Sequence, residues 1–207
     1  NVAGQPGLGG LLVGRAQGRR PGRTAGPTRC EPGIARKPDP AEGVSARDTQ
    51  RARVYAAEAF VRTIFDRAAQ GSSRSIDFFG ARITLPPEAR FGSVPSVQRY
   101  VDGGLALPAV TARWPHRTPL GVRARRGATA AHYERRAVGA VIAVPADVGW
   151  ALRELVVLHE VAHHLDNTAG PPHGPGFVAT FCDLAALVMG PEVGYVLRVV
   201  YAKEGVR

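Results

Sequence analysis

Cysteine is scarce in this chain. Two in 207 residues, Cys30 and Cys182, make no disulfide framework, and neither belongs to a CxxC pair that would build a cysteine zinc site. Long apolar runs are also missing. Nothing approaches the roughly 20 consecutive apolar residues needed to cross a bilayer. The short apolar patch at residues 8–13 is interrupted by glycine and has no basic segment before it, so it is read as no signal peptide. These absences point to a soluble, cytoplasmic protein with no membrane partner. Lysine is nearly absent: only Lys37 and Lys203 stand among 27 basic residues. The arginine excess, beside abundant Ala, Gly, Pro and Val, is the composition of a GC-rich genome. The formal charge of +10 is unevenly spread. Up to Arg53 there are 10 basic and 4 acidic residues, against 17 and 13 beyond it, so the folding part is only mildly basic. A solvated surface explains that better than a nucleic-acid footprint.

Residues 1–45 are rich in Gly, Pro and Arg, without aromatics or periodicity. They cannot bury enough apolar area to offset their ordering entropy, which predicts a disordered tail. Order is expected over residues 46–207. An amphipathic helix, capped by Ser45 or Asp48, carries Val54, Ala57, Val61, Ile64 and Ala68 at steps of three and four, flanked by Phe60 and Phe65, and ends at Gly71. A strand over 75–85 stops at Pro86-Pro87, and a helix follows over 96–105. Two or three strands are predicted, from runs at 121–126, 130–135 and 138–144. Helices over 147–167, 173–188 and 191–203 close the chain. The class is α+β, with a small, mostly antiparallel sheet packed on the helix over 147–167 and further C-terminal helices.

That helix carries His159-Glu160-Val161-Ala162-His163. Residues four apart lie one turn above each other on one face, so two imidazoles point at a common spot. Leu152, Leu155 and Val156 turn that face inward. Neutral imidazole is a natural zinc ligand, and a catalytic zinc takes three protein ligands and leaves a position for water. Glu160, beside the first histidine, can take a proton from that water and return it to a leaving group. With the 6 histidines and 9 glutamates of this chain, HExxH is expected by chance roughly 0.008 times. The third ligand comes from beyond the Gly170-Pro171-Pro172 turn. His173 is the best placed; Asp166 is the rival, as a ligand or as acceptor of a ligand histidine's second N–H. Asp183 and Glu192 are more distant. His164 points about 100° away from His163.

The run HEVAHH followed by His173-Gly174-Pro175-Gly176-Phe177 resembles the zincin peptidases of the SprT-like and related minimal-zincin families. Residues 131–145 and 152–158 look closer still to an uncharacterised actinobacterial family of metallohydrolases, and the resemblance spans roughly residues 53–199. It implies a minimal-zincin fold, with His159, His163 and His173 binding Zn2+, Glu160 as the catalytic base, and a peptide or protein substrate. The cysteine zinc ribbon that SprT-like proteins often carry has no counterpart here, so a DNA-directed role is not carried over.

The run over 138–144 is either an edge strand that pairs with an extended peptide or an ordinary core strand. Tyr133, Tyr195, Tyr201 and His132 are possible donors to a developing oxyanion. Arg113, Arg117, Arg123, Arg125, Arg126, Arg135 and Arg136 gather around the sheet, where a solvated surface is the plainer reading. Cys182 reads as a small core residue. The sequence thus predicts a zinc-dependent hydrolase, a metallopeptidase. The alternative is a non-catalytic zinc-stabilised module that contacts a partner or nucleic acid.

Overall fold

The computed structural model describes residues 47–127, 130–145 and 149–207. The tail predicted to be disordered, Ser45, Asp147 and Cys30 all lie outside those residues. Helix α1 (Arg51–Gln70) buries Val54, Ala57, Val61 and Ala68, as the spacing predicts, while Ile64 of the same stripe is only half-buried; flanking Phe65 is buried, and Glu58 joins that face. Phe60 is exposed instead of flanking the core. Gln50 stands at the N-cap position without a side-chain cap; Asp48 is engaged elsewhere.

The stretch over 75–85 is not one strand but a hairpin, β1 (Ser75–Phe78) against β2 (Ala81–Thr84). Phe79 and Gly80 both turn with positive φ, 46° and 84°. A non-glycine residue in that region carries no sequence signature, so periodicity alone ran through the turn. Helix α2 (Val94–Ala106) starts with a reciprocal Ser93/Ser96 capping box, and a short helix α3 (Pro108–Arg113) follows.

Strands β3 (Leu120–Arg125), β4 (His132–Arg135) and β5 (Ala140–Pro145) form a second, mixed sheet in the order β3-β5-β4. Strand β5 runs antiparallel to β4 and parallel to β3. It is therefore central, and the edge-strand reading of 138–144 is corrected: both of its edges are already paired. Its continuous apolar run, Ala140 to Pro145 with five of six residues buried, fits a strand covered on both faces. Beside α4, the edge with no partner strand among the described residues belongs to β4.

The principal helix, α4 (Glu154–Leu165), begins later than residue 147, after a 3-10 turn at Gly149–Ala151. The delay has a cause. Residues 152–154 are extended and pair with 89–91: Phe91 N–H donates to Leu152 O and Glu154 N–H to Ala89 O. The buried Glu88 carboxylate then accepts the Leu155 N–H at 3.3 Å, placing negative charge at the helix N-terminus. Arg153 donates from Nε to both Glu88 oxygens, at 2.9 and 3.1 Å, and reaches Asp66 on α1. Helix α4 packs on α5 (Pro175–Val188) and on β4, α5 packs on α6 (Pro191–Lys203), and α6 on α1. Cys182 is buried in this layer, its thiol pushed up to about 12 by burial. Among the described residues no helix is long and apolar enough to cross a membrane.

Arg153→Ala removes the buried counter-charge of Glu88 and leaves it only the half-exposed Arg90 at 3.5 Å. The expected cost is about 3–5 kcal/mol, read from urea unfolding midpoints; a loss under about 1 kcal/mol contradicts the anchoring role.

Candidate metal centre

His159 and His163 stand one turn apart on α4, and His173 reaches them from the turn preceding α5. Gly174 makes that turn possible. Its N–H donates to Pro171 O at 2.8 Å, and a Cβ there would lie 2.9 Å from Pro171 Cδ and 3.0 Å from its carbonyl oxygen. The chain can thus reverse at 171–174 and fold the His173 ring over α4.

The three ring nitrogens converge. Nε2 of His159 lies 3.2 Å from Nε2 of His163 and 3.4 Å from Nε2 of His173. The ligand atoms of all three lie within 4.8 Å of one another. Nitrogens bound tetrahedrally to zinc at about 2.05 Å are separated by about 3.3 Å. Neutral imidazoles at that spacing, with burial holding two of them deprotonated, are a donor set that fits zinc. Burial, followed by the charges of its two neighbours, pulls His163 down to about 2, and burial likewise lowers His173. For His159, burial is outweighed by the charge and hydrogen bond of Glu58, and its proton affinity is raised.

Glu58 is the feature that sequence reasoning missed. Its Oε1 accepts the His159 Nδ1–H at 2.8 Å and the Tyr201 hydroxyl at 2.8 Å, deep in the core. Desolvation raises the carboxyl, but His159, Tyr201 and Arg62 outweigh it, so Glu58 is held ionised below the ordinary range. Asp48 does the same for His173, with Oδ2 accepting Nδ1–H at 2.6 Å. Gln50 secures the same loop: its amide donates to His173 O and to Arg207 O, both at 2.6 Å. A signal existed for Glu58, a lone carboxylate inside the apolar stripe between Ala57 and Val61. For Asp48 there was none.

Aromatic rings hold the imidazoles. Phe177, the last residue of the HGxxF run, stacks on His163 at 4.3 Å between centroids and meets His159 edge-on at 4.8 Å. Tyr55 on α1 stacks on His159 at 5.6 Å, and Tyr133 on His163 at 6.4 Å. Tyr55 also went unseen in the sequence, since it stands off the buried stripe. Glu160 is buried, only 5% exposed, beside Tyr55, Val156 and Ala131. Burial raises its proton affinity, opposed by His159 and by the main-chain N–H of Tyr133 on β4.

Other sequence candidates lie apart. Asp166 is neither ligand nor histidine acceptor; its Oδ1 takes the Thr168 N–H at 3.0 Å. Asp183 pairs with Arg113 and Arg198. Glu192 lies in the first turn of α6, outside the histidine group. His164 turns away, donating from Nε2 to Thr118 O at 2.9 Å while its Nδ1 faces the Tyr133 hydroxyl at 3.3 Å. Tyr201 is occupied by Glu58, Tyr195 packs edge-on against Phe78, and His132 contacts Glu134.

Comparison with known protein families, with curated proteins and with solved structures finds no match.

Glu58→Gln keeps an acceptor for His159 but removes the charge. Zinc affinity is expected to fall about 10- to 100-fold, with the circular dichroism spectrum unchanged, in a competition titration against a chromophoric chelator. His173→Ala should lose most of its zinc in the same assay; wild-type affinity in that variant would move the third ligand elsewhere.

Proposed function

We propose that this chain is a zinc-dependent hydrolase, a metallopeptidase of the minimal-zincin kind, with His159, His163 and His173 as ligands and Glu160 as the base. The observation that carries the reading is a buried carboxylate beside His159, whose Nε2 lies 3.2 and 3.4 Å from those of His163 and His173, near the spacing of ligands on a tetrahedral zinc. When bound, zinc supplies Lewis acidity, polarising a carbonyl and making water acidic near neutral pH.

The residues do the rest. Glu58 and Asp48 fix two rings with Nδ1–H outward and Nε2 inward, and their negative charges offset a buried divalent ion. Phe177, Tyr55 and Tyr133 pack the rings and limit water around them. Glu160 takes a proton from the attacking water and returns it to the leaving amine; its raised proton affinity suits that exchange at neutral pH. The exposed edge of β4, whose Tyr133 N–H faces Glu160, is the edge against which an extended peptide would pair.

A structural zinc module would close the ion with a fourth protein ligand. Among the described residues the converging group is three histidines, which supports the open, catalytic arrangement.

Glu160→Gln should keep zinc at wild-type affinity and cut peptide hydrolysis by at least about 100-fold, measured on a casein or fluorogenic-peptide substrate. Undiminished turnover would remove Glu160 from its role.

A further inference from the structure

A second feature adjoins the metal centre and is not used by it. A groove of about 620 Å³ runs between the 113–118 segment, the end of β4 and the start of α5. That volume lies inside the roughly 300–1,000 Å³ range of pockets that hold small ligands or short peptide segments. Neither the three histidines nor Glu160 line it, but two of its wall residues border the proposed centre. Tyr133, in its wall, stacks on His163, and Gly176, also in its wall, precedes the Phe177 that packs the same ring.

Its charge is one-sided. Arg113, Arg117, Arg135 and Arg136 line it, and Asp166 is the single carboxylate among the lining residues. Arg113 and Arg136 are each paired with a carboxylate outside the groove, Asp183 and Glu134. Among the described residues the other two pair with no carboxylate. Arg117 is held by Trp114 O at 3.0 Å, by Leu105 O and by Thr111 Oγ1 at 3.0 Å, all uncharged acceptors, so its cation is fixed in place. Arg135 is exposed and, among the described residues, makes no ion pair or side-chain hydrogen bond. It follows Tyr133 by two residues on β4 and so lies on the same face of the sheet.

The surface that Glu160 itself lines differs. There a smaller depression of about 170 Å³ is lined by Tyr55, Ala130, Ala131 and Val156, with Arg62 turned to Glu58 at 3.8 Å. Arg51 also lies there, 5.3 Å over the Tyr55 ring, so the arginines are more numerous on the groove side, four against two. A nucleic-acid strand carries phosphates on both sides and is usually met by stacking rings. Trp114 in the groove is buried, and Tyr133 is committed to the histidines. A peptide with acidic side chains on one side of the scissile bond matches this asymmetry.

Resting on the hydrolase reading above, we propose that the groove binds aspartate or glutamate side chains of the substrate, on the side of the scissile bond that leaves the centre past Tyr133 toward Arg135. Arg135 is the exposed contact, and Arg117 supplies a fixed positive field.

The test uses the full chain carrying Glu160→Gln, loaded with zinc, in fluorescence anisotropy at physiological ionic strength. The probes are a labelled glutamate-containing peptide, its glutamine counterpart and a single-stranded oligonucleotide of equal length. The glutamate peptide should bind at least about fivefold more tightly than the glutamine peptide. Arg135→Glu should erase that difference, and Arg135→Lys should keep it. Equal binding of the two peptides overturns the proposal, and tighter binding of the oligonucleotide overturns it in favour of nucleic acid. The wild-type chain separates the two readings. Cleavage of both peptides at equal rates refutes the groove and leaves the hydrolase, whereas charge-dependent binding with no cleavage of either peptide refutes the hydrolase and leaves the groove.

Discussion

The proposed metal centre depends on what happens at the far side of its imidazoles. A neutral imidazole has one N–H and one lone pair, and committing the proton at Nδ1 turns the lone pair to Nε2. Glu58 does this for His159 and Asp48 for His173, at 2.8 and 2.6 Å. Both carboxylates come from α1 or the residues leading into it, more than 100 positions before the rings they hold. A buried carboxylate without partners would be expensive, so Glu58 also receives the Tyr201 hydroxyl and lies near Arg62. The first helix is therefore part of the centre, although it contributes no ligand to it.

The rest of the fold serves to bring those parts together. Pairing between 89–91 and 152–154 fixes where α4 begins, and hence the direction in which His159 and His163 point. The reversal at 171–174 carries His173 back over the helix, and Phe177, in the first turn of α5, stacks on His163. The α1–α6 contact sets Glu58 and Tyr201 opposite each other. Gln50 links the His173 carbonyl to the main chain of Arg207, so the two ends of the described region close around one loop.

Much of this was legible in the sequence, where local periodicity decides structure. The stripe of α1, the apolar run of β5, the helices of the C-terminal half and the HExxH spacing all follow from single-element patterns. What escaped detection was long-range. Sheet order cannot be read from strands that merely follow one another, so β5 could be taken for an edge when β3 and β4 enclose it. The delayed start of α4 depends on Glu88 and on residues 89–91, over 60 positions upstream. Asp166, at helical spacing from His163, looked the natural partner for a histidine. It lies past the last helical residue, where its carboxylate caps Thr168 instead. Periodicity places residues on one face of one helix, and it is silent on which other element faces them.

The central claim is an ion held open by three histidines. X-ray absorption at the zinc edge, combined with an anomalous-difference map of the zinc-loaded protein, tests it most directly. The account predicts one zinc per chain, bound by Nε2 of His159, His163 and His173 at about 2.0–2.1 Å, with a non-protein oxygen completing the sphere. A fourth protein side chain on the metal, or zinc bound away from these rings, would contradict it.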